Sequence, residues 1–277
     1  MGVQMLFRVL GRIDLVPTNG NPLVISSKKK QALLATLLVD NGNWVRTDEL
    51  IDTIWGERPP KSAAGSLKTY VWQLRTITSQ AEGREVIETC RGGYRINLGR
   101  EEVDMLLFED GVLAGVGALN RGEPSAALAG LESACRLWRG LPFADLEIWH
   151  AEAQSTWLTE LWLVAQQALA RARIATGAAA PAVAGLRQIL TDHPLIESLH
   201  GLLMLGLYRS GRQAEALAAF TRIRALLDAE LGLSPCAELR ELHRDILRQA
   251  PRLDSTELSL SAFGGVPKVV ATGYAVR

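Results

Sequence analysis

No stretch of the sequence approaches the roughly 18 uncharged apolar residues that a membrane-spanning helix needs, so a span is excluded and a soluble protein is expected. Cysteine is scarce. Cys90, Cys135 and Cys236 are odd in number and form no C-x-x-C pair, which suits free thiols in a reducing compartment and excludes a cysteine-built zinc finger. Neither a Gly-rich phosphate loop nor a serine elbow is present. The nearest approach to a metal motif is His193, Glu197 and His200, whose H-x3-E-x2-H spacing lacks the shared-face pair of imidazoles that H-E-x-x-H supplies. No catalysis, cofactor or metal is therefore expected. Residues Met1 to Leu10 place Arg8 inside the only early apolar run and lack a small-residue cleavage pattern, so a cytoplasmic location is expected.

What is present fits two domains: 277 residues, of which 48% are hydrophobic, exceed what one small core needs. The zero net charge hides an asymmetry. Residues 1–100 hold 14 Lys or Arg against 9 Asp or Glu, a net of +5, whereas residues 101–277 hold 16 against 21, a net of −5. A basic first third is where a polyanion would dock, because neutralising phosphates releases counterions.

Leu6 to Val16 alternates loosely, and Pro17-Thr18-Asn19-Gly20-Asn21-Pro22 separates it from Leu23-Val24-Ile25, which reads as strand, turn, strand. Ser27 is suited to cap a helix carrying Leu33, Leu34, Leu37 and Leu38 and ended by Asn41-Gly42-Asn43. Lys28, Lys29 and Lys30 fall in its first turn, where the helix dipole disfavours cations; phosphate contact and simple solvation are both open readings. Thr47, then Asp48 and Glu49, open a second helix with Leu50, Ile51, Ile54 and Trp55 on one face and Gly56 as its stop. A link, Glu57-Arg58-Pro59-Pro60-Lys61, leads to a third amphipathic helix from Ser62 to about Ser79. Beyond it, Val86 to Cys90 and Tyr94 to Leu98 flank Arg91-Gly92-Gly93, a hairpin signal and a candidate wing.

From Val103 to about Gln249 the composition turns to Ala, Leu, Glu and Arg, the mark of a helical bundle or repeat. Val183, Leu186 and Ile189 align with Leu217, Phe220 and Ile223 at an offset of 34 residues, the tetratricopeptide period. The expected fold class is mainly α: a winged helix-turn-helix with small β-sheets over 1–100, an all-α tetratricopeptide-like domain over 101–250, and a flexible tail over 251–277.

At 100° per residue, Ala64, Leu67, Tyr70, Val71, Leu74 and Thr78 of the third helix share the core side. The opposite side carries Lys61, Gly65, Lys68, Thr69, Trp72, Gln73 and Thr76, with Arg75 on the shoulder, and holds no acidic residue. Such donor-rich residue types suit a helix in a DNA major groove, where bases differ in donors, acceptors and the thymine methyl. A solvated basic helix is the bland alternative. The preceding helix, the hairpin and the charge asymmetry favour DNA. Trp72 either covers a neighbouring element or meets a sugar or a thymine methyl.

Ile54-Trp55-Gly56-Glu57-Arg58-Pro59-Pro60, Leu67 to Arg75 and Gly93-Tyr94-Arg95-Ile96 resemble the second helix, third helix and wing strand of the Streptomyces antibiotic regulatory proteins, which join an OmpR-type winged helix to a bacterial transcriptional activation domain. Glu102-Val103-Asp104 with Phe108, Leu137 to Phe143, His193 to Glu197, Leu207 to Leu217 and Glu230 to Pro235 resemble landmarks of the second domain, in order. The resemblance spans about residues 5–250. It implies an activator of an antibiotic or other specialised-metabolite cluster that binds direct repeats in double-stranded promoter DNA, with a homodimer on DNA as one form, and recruits RNA polymerase holoenzyme. DNA contact is then expected from Lys61, Lys68, Thr69, Trp72, Gln73, Arg75, Thr76, Arg91, Gly92 and Tyr94, and polymerase contact from Trp55, Glu57 and Arg58. Trp72 and Gln73 depart from the small polar and basic residues that the family commonly has there, and Gly65 from a polar one. A helical scaffold that binds only protein is the competing reading.

Overall fold

The computed structural model describes residues 5–17, 20–82, 84–144, 146 and 149–256. The expected turn residues Thr18 and Asn19, and the tail from 257 on, lie outside the described residues. The fold is mostly helical, at 66%, with small N-terminal sheets, as the sequence implies. It divides into two compact units, residues 1–110 with 136–160 and residues 111–135 with 161–277. Segment 136–160, which a division at residue 100 assigns to the helical domain, thus belongs with the first unit.

In the first unit, β1 (Met5–Arg8), β2 (Asp14–Pro17) and β3 (Leu23–Val24) form an antiparallel sheet in that order, with Phe7 opposite Leu15 and Leu15 opposite Leu23. The run from Leu6 to Val16 supplies two strands rather than one, because the chain reverses after Leu10, where the Gly11 N–H donates to the Val9 carbonyl at 2.8 Å. Helix α1 (Lys28–Val39) has Ser27 at its capping position and buries Leu33, Leu34, Leu37 and Leu38 completely. Helix α2 (Thr47–Trp55) begins at Thr47, so Arg46 and not Thr47 holds the cap position, and it ends at Gly56, whose N–H reaches the Asp52 carbonyl at 2.8 Å.

Helix α3 (Ala63–Glu82) follows, then the hairpin of β5 (Ile87–Cys90) and β6 (Gly93–Ile96). A two-residue strand, β4 (Val45–Arg46), pairs with β6 to give the order β4-β6-β5. Two glycines make this possible for different reasons. Gly92 turns the hairpin at φ +105°, in the region that side chains disfavour, while a Cβ on Gly93 would stand 2.5 Å from the Val45 carbonyl oxygen.

One buried carboxylate organises the other side of this unit. Asp104, fully buried, accepts the N–H groups of Val9 at 2.8 Å and Leu10 at 3.1 Å, the donors freed where β1 ends. Segment 139–144 zips onto the same reversal: Arg139 N–H donates to Leu10 O at 2.9 Å, Phe143 to Val9 O at 2.8 Å and Ala144 to Gly11 O at 3.0 Å. Arg139 also points its guanidinium at Asp104 (3.6 Å), Asp14 (3.5 Å) and the Arg12 carbonyl (3.1 Å). Val103 adds a parallel bridge to Phe7, and Trp138 packs on Phe108 with ring centroids 5.4 Å apart. The two motifs Glu102-Val103-Asp104 and Leu137 to Phe143 therefore act as one clasp.

Past the hairpin come α4 (Asp104–Asn120), α5 (Pro124–Cys135) and α6 (Trp149–Ala175). In the second unit, α7 (Ala179–Asp192) pairs with α8 (Glu197–Arg209), and α9 (Gln213–Leu231) with α10 (Ala237–Arg248). Helices α7 and α9 start 34 residues apart, at the repeat period. Val183, Leu186, Ile189, Phe220 and Ile223 share one core, with Leu217 packed against it half-buried. The first residues of the expected flexible tail are packed instead. Pro251–Asp254 form a 3-10 turn, Leu253 is fully buried, and the Arg209 guanidinium takes the Leu253 carbonyl at 2.8 Å and that of Ser255. Among the described residues no helix is long and apolar enough to cross a membrane.

Burial pushes the Asp104 carboxyl up to about 6, against the pull of the Val9 and Leu10 N–H groups and of Arg139. Its folded value lies above the ordinary 3.8, so the stability it contributes is fully present below about pH 4 and lost as pH rises through about 6. In urea titrations the parent should lose on the order of 2–3 kcal/mol between pH 4 and pH 7 relative to Asp104→Asn, which has nothing to titrate. Parallel pH profiles for the two proteins would contradict this.

Candidate nucleic-acid interface

The rotational setting of α3 comes from its buried row. Ala63, Leu67, Val71, Leu74 and Thr78 are buried, at the i, i+4, i+8, i+11 and i+15 spacing that keeps one face of a helix against a core. Ala64, expected in this row, is exposed; Ala63 takes the place, its N–H held by the Pro60 carbonyl at 2.9 Å. Tyr70 is half-buried at the row's margin. The opposite face is what the solvent sees: Lys61, Gly65, Lys68, Thr69 and Trp72 are exposed, and Gln73 and Thr76 half-exposed. Trp72 stands out with 65% of its surface exposed. Nothing lies near the position that a Gly65 side chain would occupy.

Arg75 has a different job from the one expected of it. Its Nε donates to the Ile87 carbonyl at 2.9 Å, its Nη2 to the Thr89 hydroxyl at 2.6 Å, and Glu85 lies 2.9 Å from Nε. These contacts turn the guanidinium onto β5, so it ties the hairpin to α3. Tyr94 also departs from expectation: it is 7% exposed, and it belongs to the core. The hairpin tip, Arg91 and Gly92, is exposed. On β6, Arg95 pairs with Glu88 at 2.7 Å, holding that carboxyl below its usual range, and covers the Trp44 ring at 4.5 Å. The Thr47 N–H closes the tip by donating to the Gly92 carbonyl at 2.9 Å.

Ahead of α3, Glu57 and Arg58 project from an exposed link. Trp55 does so less, because it stacks on Tyr70 with centroids 6.0 Å apart and Lys29 lies 5.3 Å above its ring. One of the three first-turn lysines of α1 is thereby accounted for by a cation–π contact. The residues of the H-x3-E-x2-H spacing serve separate partners: His200 Nε2 meets the Pro194 carbonyl at 2.8 Å, His193 lies against Trp162, and Glu197 accepts the Cys236 N–H at 2.7 Å. Among the described residues no group of three or more His, Cys, Asp or Glu is placed to hold a metal.

Because the Arg75 contacts cross from helix to hairpin, Arg75→Ala should lower stability by about 1–3 kcal/mol. Amide exchange at 87–90 should accelerate more than in α1. An unchanged urea midpoint together with unchanged exchange there would exclude the tie that Arg75 makes between α3 and β5.

Residues 20–96 match the family described as transcriptional regulatory protein, C terminal, and residues 103–247 the bacterial transcriptional activator domain. The regulatory protein AfsR of Streptomyces griseus is 37% identical over 243 residues, covering 87% of this chain and 24% of AfsR. The transcriptional regulator RedD of Streptomyces coelicolor is 35% identical over 250 residues, covering 88% of this chain and 71% of RedD. Mycobacterium tuberculosis EmbR, solved in complex with a low-affinity phosphopeptide, superposes with a TM-score of 0.86 at 33% identity, covering 97% of this chain and 71% of EmbR. The chain spans only about a quarter of the length of AfsR. With both domain families matched along one chain and these relatives beside it, the chain belongs to the Streptomyces antibiotic regulatory protein family.

Proposed function

We propose that the chain is a sequence-specific transcriptional activator that seats α3 in the major groove of promoter DNA, binds direct repeats ahead of a specialised-metabolite (antibiotic) gene cluster, and recruits RNA polymerase holoenzyme there. The observation that carries this reading is the outer face of α3, exposed Lys68, Thr69 and Trp72 with half-exposed Gln73 and Thr76, together with exposed Lys61 just before the helix, and no acidic residue among them. A carboxylate there would be repelled by the phosphates, whereas the lysine amines and the Gln73 amide match base edges and backbone oxygens.

Roles divide by position. Lys68 and Gln73 stand where base edges would pass, Lys61 at the helix start suits a phosphate, and Arg91 with Gly92 at the hairpin tip suits the adjacent backbone. Arg75 and Tyr94 support this surface from behind. Glu57 and Arg58, exposed between α2 and α3, are assigned to the polymerase, with Trp55 bracing the link through Tyr70. Direct repeats would bring two copies side by side on DNA in the same orientation, a homodimer that forms on the operator.

Operator affinity should fall steeply with salt in gel shifts, with a log–log slope of roughly −4 to −6 for about six neutralised phosphates. A flat salt profile would reject this mode of binding and favour a scaffold that binds protein alone.

A further inference from the structure

The outer face of α3 has fewer free donors than its composition suggests. The Thr69 hydroxyl donates to the Gly65 carbonyl at 3.2 Å, and the Thr76 hydroxyl to the Trp72 carbonyl at 2.9 Å. Both hydroxyl protons are thus committed within the helix, which leaves the γ-methyl as the other branch of each side chain. Arg75 is held by β5. Trp72 lies one turn from each threonine, at i+3 from Thr69 and i−4 from Thr76, so the three fall within about 60° of one direction. Among the large apolar side chains of α3, Trp72 alone is exposed, at 65%; Leu67, Val71 and Leu74 are buried.

The middle of the face is therefore an apolar ridge, Thr69-Trp72-Thr76, bordered by Lys68 and Gln73. Base edges in the major groove present donors, acceptors and one apolar group, the C5-methyl of thymine. An indole left in water on such a face gains free energy when it is covered, and in that groove the thymine methyl is the apolar group available to cover it.

We propose that Trp72, flanked by the methyl groups of Thr69 and Thr76, recognises the thymine C5-methyl, so that thymine under the middle of α3 is a requirement of the operator. This rests on the DNA-binding reading above. It assigns sequence discrimination at that base to an apolar contact, with Lys68 and Gln73 reading its neighbours.

The test starts from duplexes selected by the full chain out of a random library. Each dT of the selected duplex is then replaced singly by dU, which removes only the methyl, and affinities are compared by gel shift for the parent, Trp72→Ala and Trp72→Phe. The parent should lose about fourfold at one or two positions, the loss expected for one methyl no longer buried. Trp72→Ala should bind dT and dU duplexes equally at those positions, and Trp72→Phe should keep part of the difference. Equal thermal melts of the three proteins would establish that each is folded, as expected for an exposed position. The proposal fails if no thymine responds to dU, or if the dU penalty persists in Trp72→Ala; DNA binding itself then still stands. Selection of no duplex at all would remove the DNA-binding reading and this inference with it.

Discussion

The candidate interface depends on the buried row of α3. Leu67, Val71 and Leu74 are between 0% and 2% exposed, and with Thr78 behind them they leave the helix one way to face. Because side chains recur every 3.6 residues, that single constraint decides that Lys68, Thr69 and Trp72 point away from the protein. Turning the helix by one residue would rotate it by about 100° and bury the lysine. The core thus selects the surface that α3 leaves to solvent, the one proposed to meet DNA. Arg75 extends the constraint to the hairpin, since its bonds to Ile87 and Thr89 fix where Arg91 and Gly92 stand relative to the helix.

A second constraint holds the N-terminal sheet. The reversal after β1 leaves backbone N–H groups that the sheet cannot satisfy, and a buried donor without a partner costs about 1–3 kcal/mol. Asp104 accepts two of them, while segment 139–144 supplies donors to the carbonyls of Val9, Leu10 and Gly11. This explains why motifs that a linear reading assigns to the second domain fold with the first. It also explains the backbone at Phe143, which sits at φ 56° yet stays buried, where its N–H reaches Val9.

Much of this was legible in the residues. Amphipathic spacing found α1, α2 and α3, Gly92-Gly93 marked the hairpin, and the 34-residue echo matched the starts of α7 and α9. What escaped was set by partners distant in sequence. Strand β4 has two residues, too few for any period, and exists because Gly93 lets the Val45 carbonyl approach. Arg75 and Tyr94 have the residue types of a DNA contact, but β5 and the core claim them. Ala64 lost its core place to Ala63 because a helical wheel leaves the edge of a face undecided by one residue. Composition counted Thr69 and Thr76 as donors, whereas the helix carbonyls take their hydroxyl protons.

The most direct test of the outer face of α3 as the DNA-contacting surface is a photo-crosslink. A benzophenone side chain at position 69, on the exposed ridge, should attach covalently to a duplex that the full chain retains in a gel shift, and the same group at Thr53, half-buried on α2, should not. A stable complex in which position 69 never crosslinks would show that DNA lies on another surface.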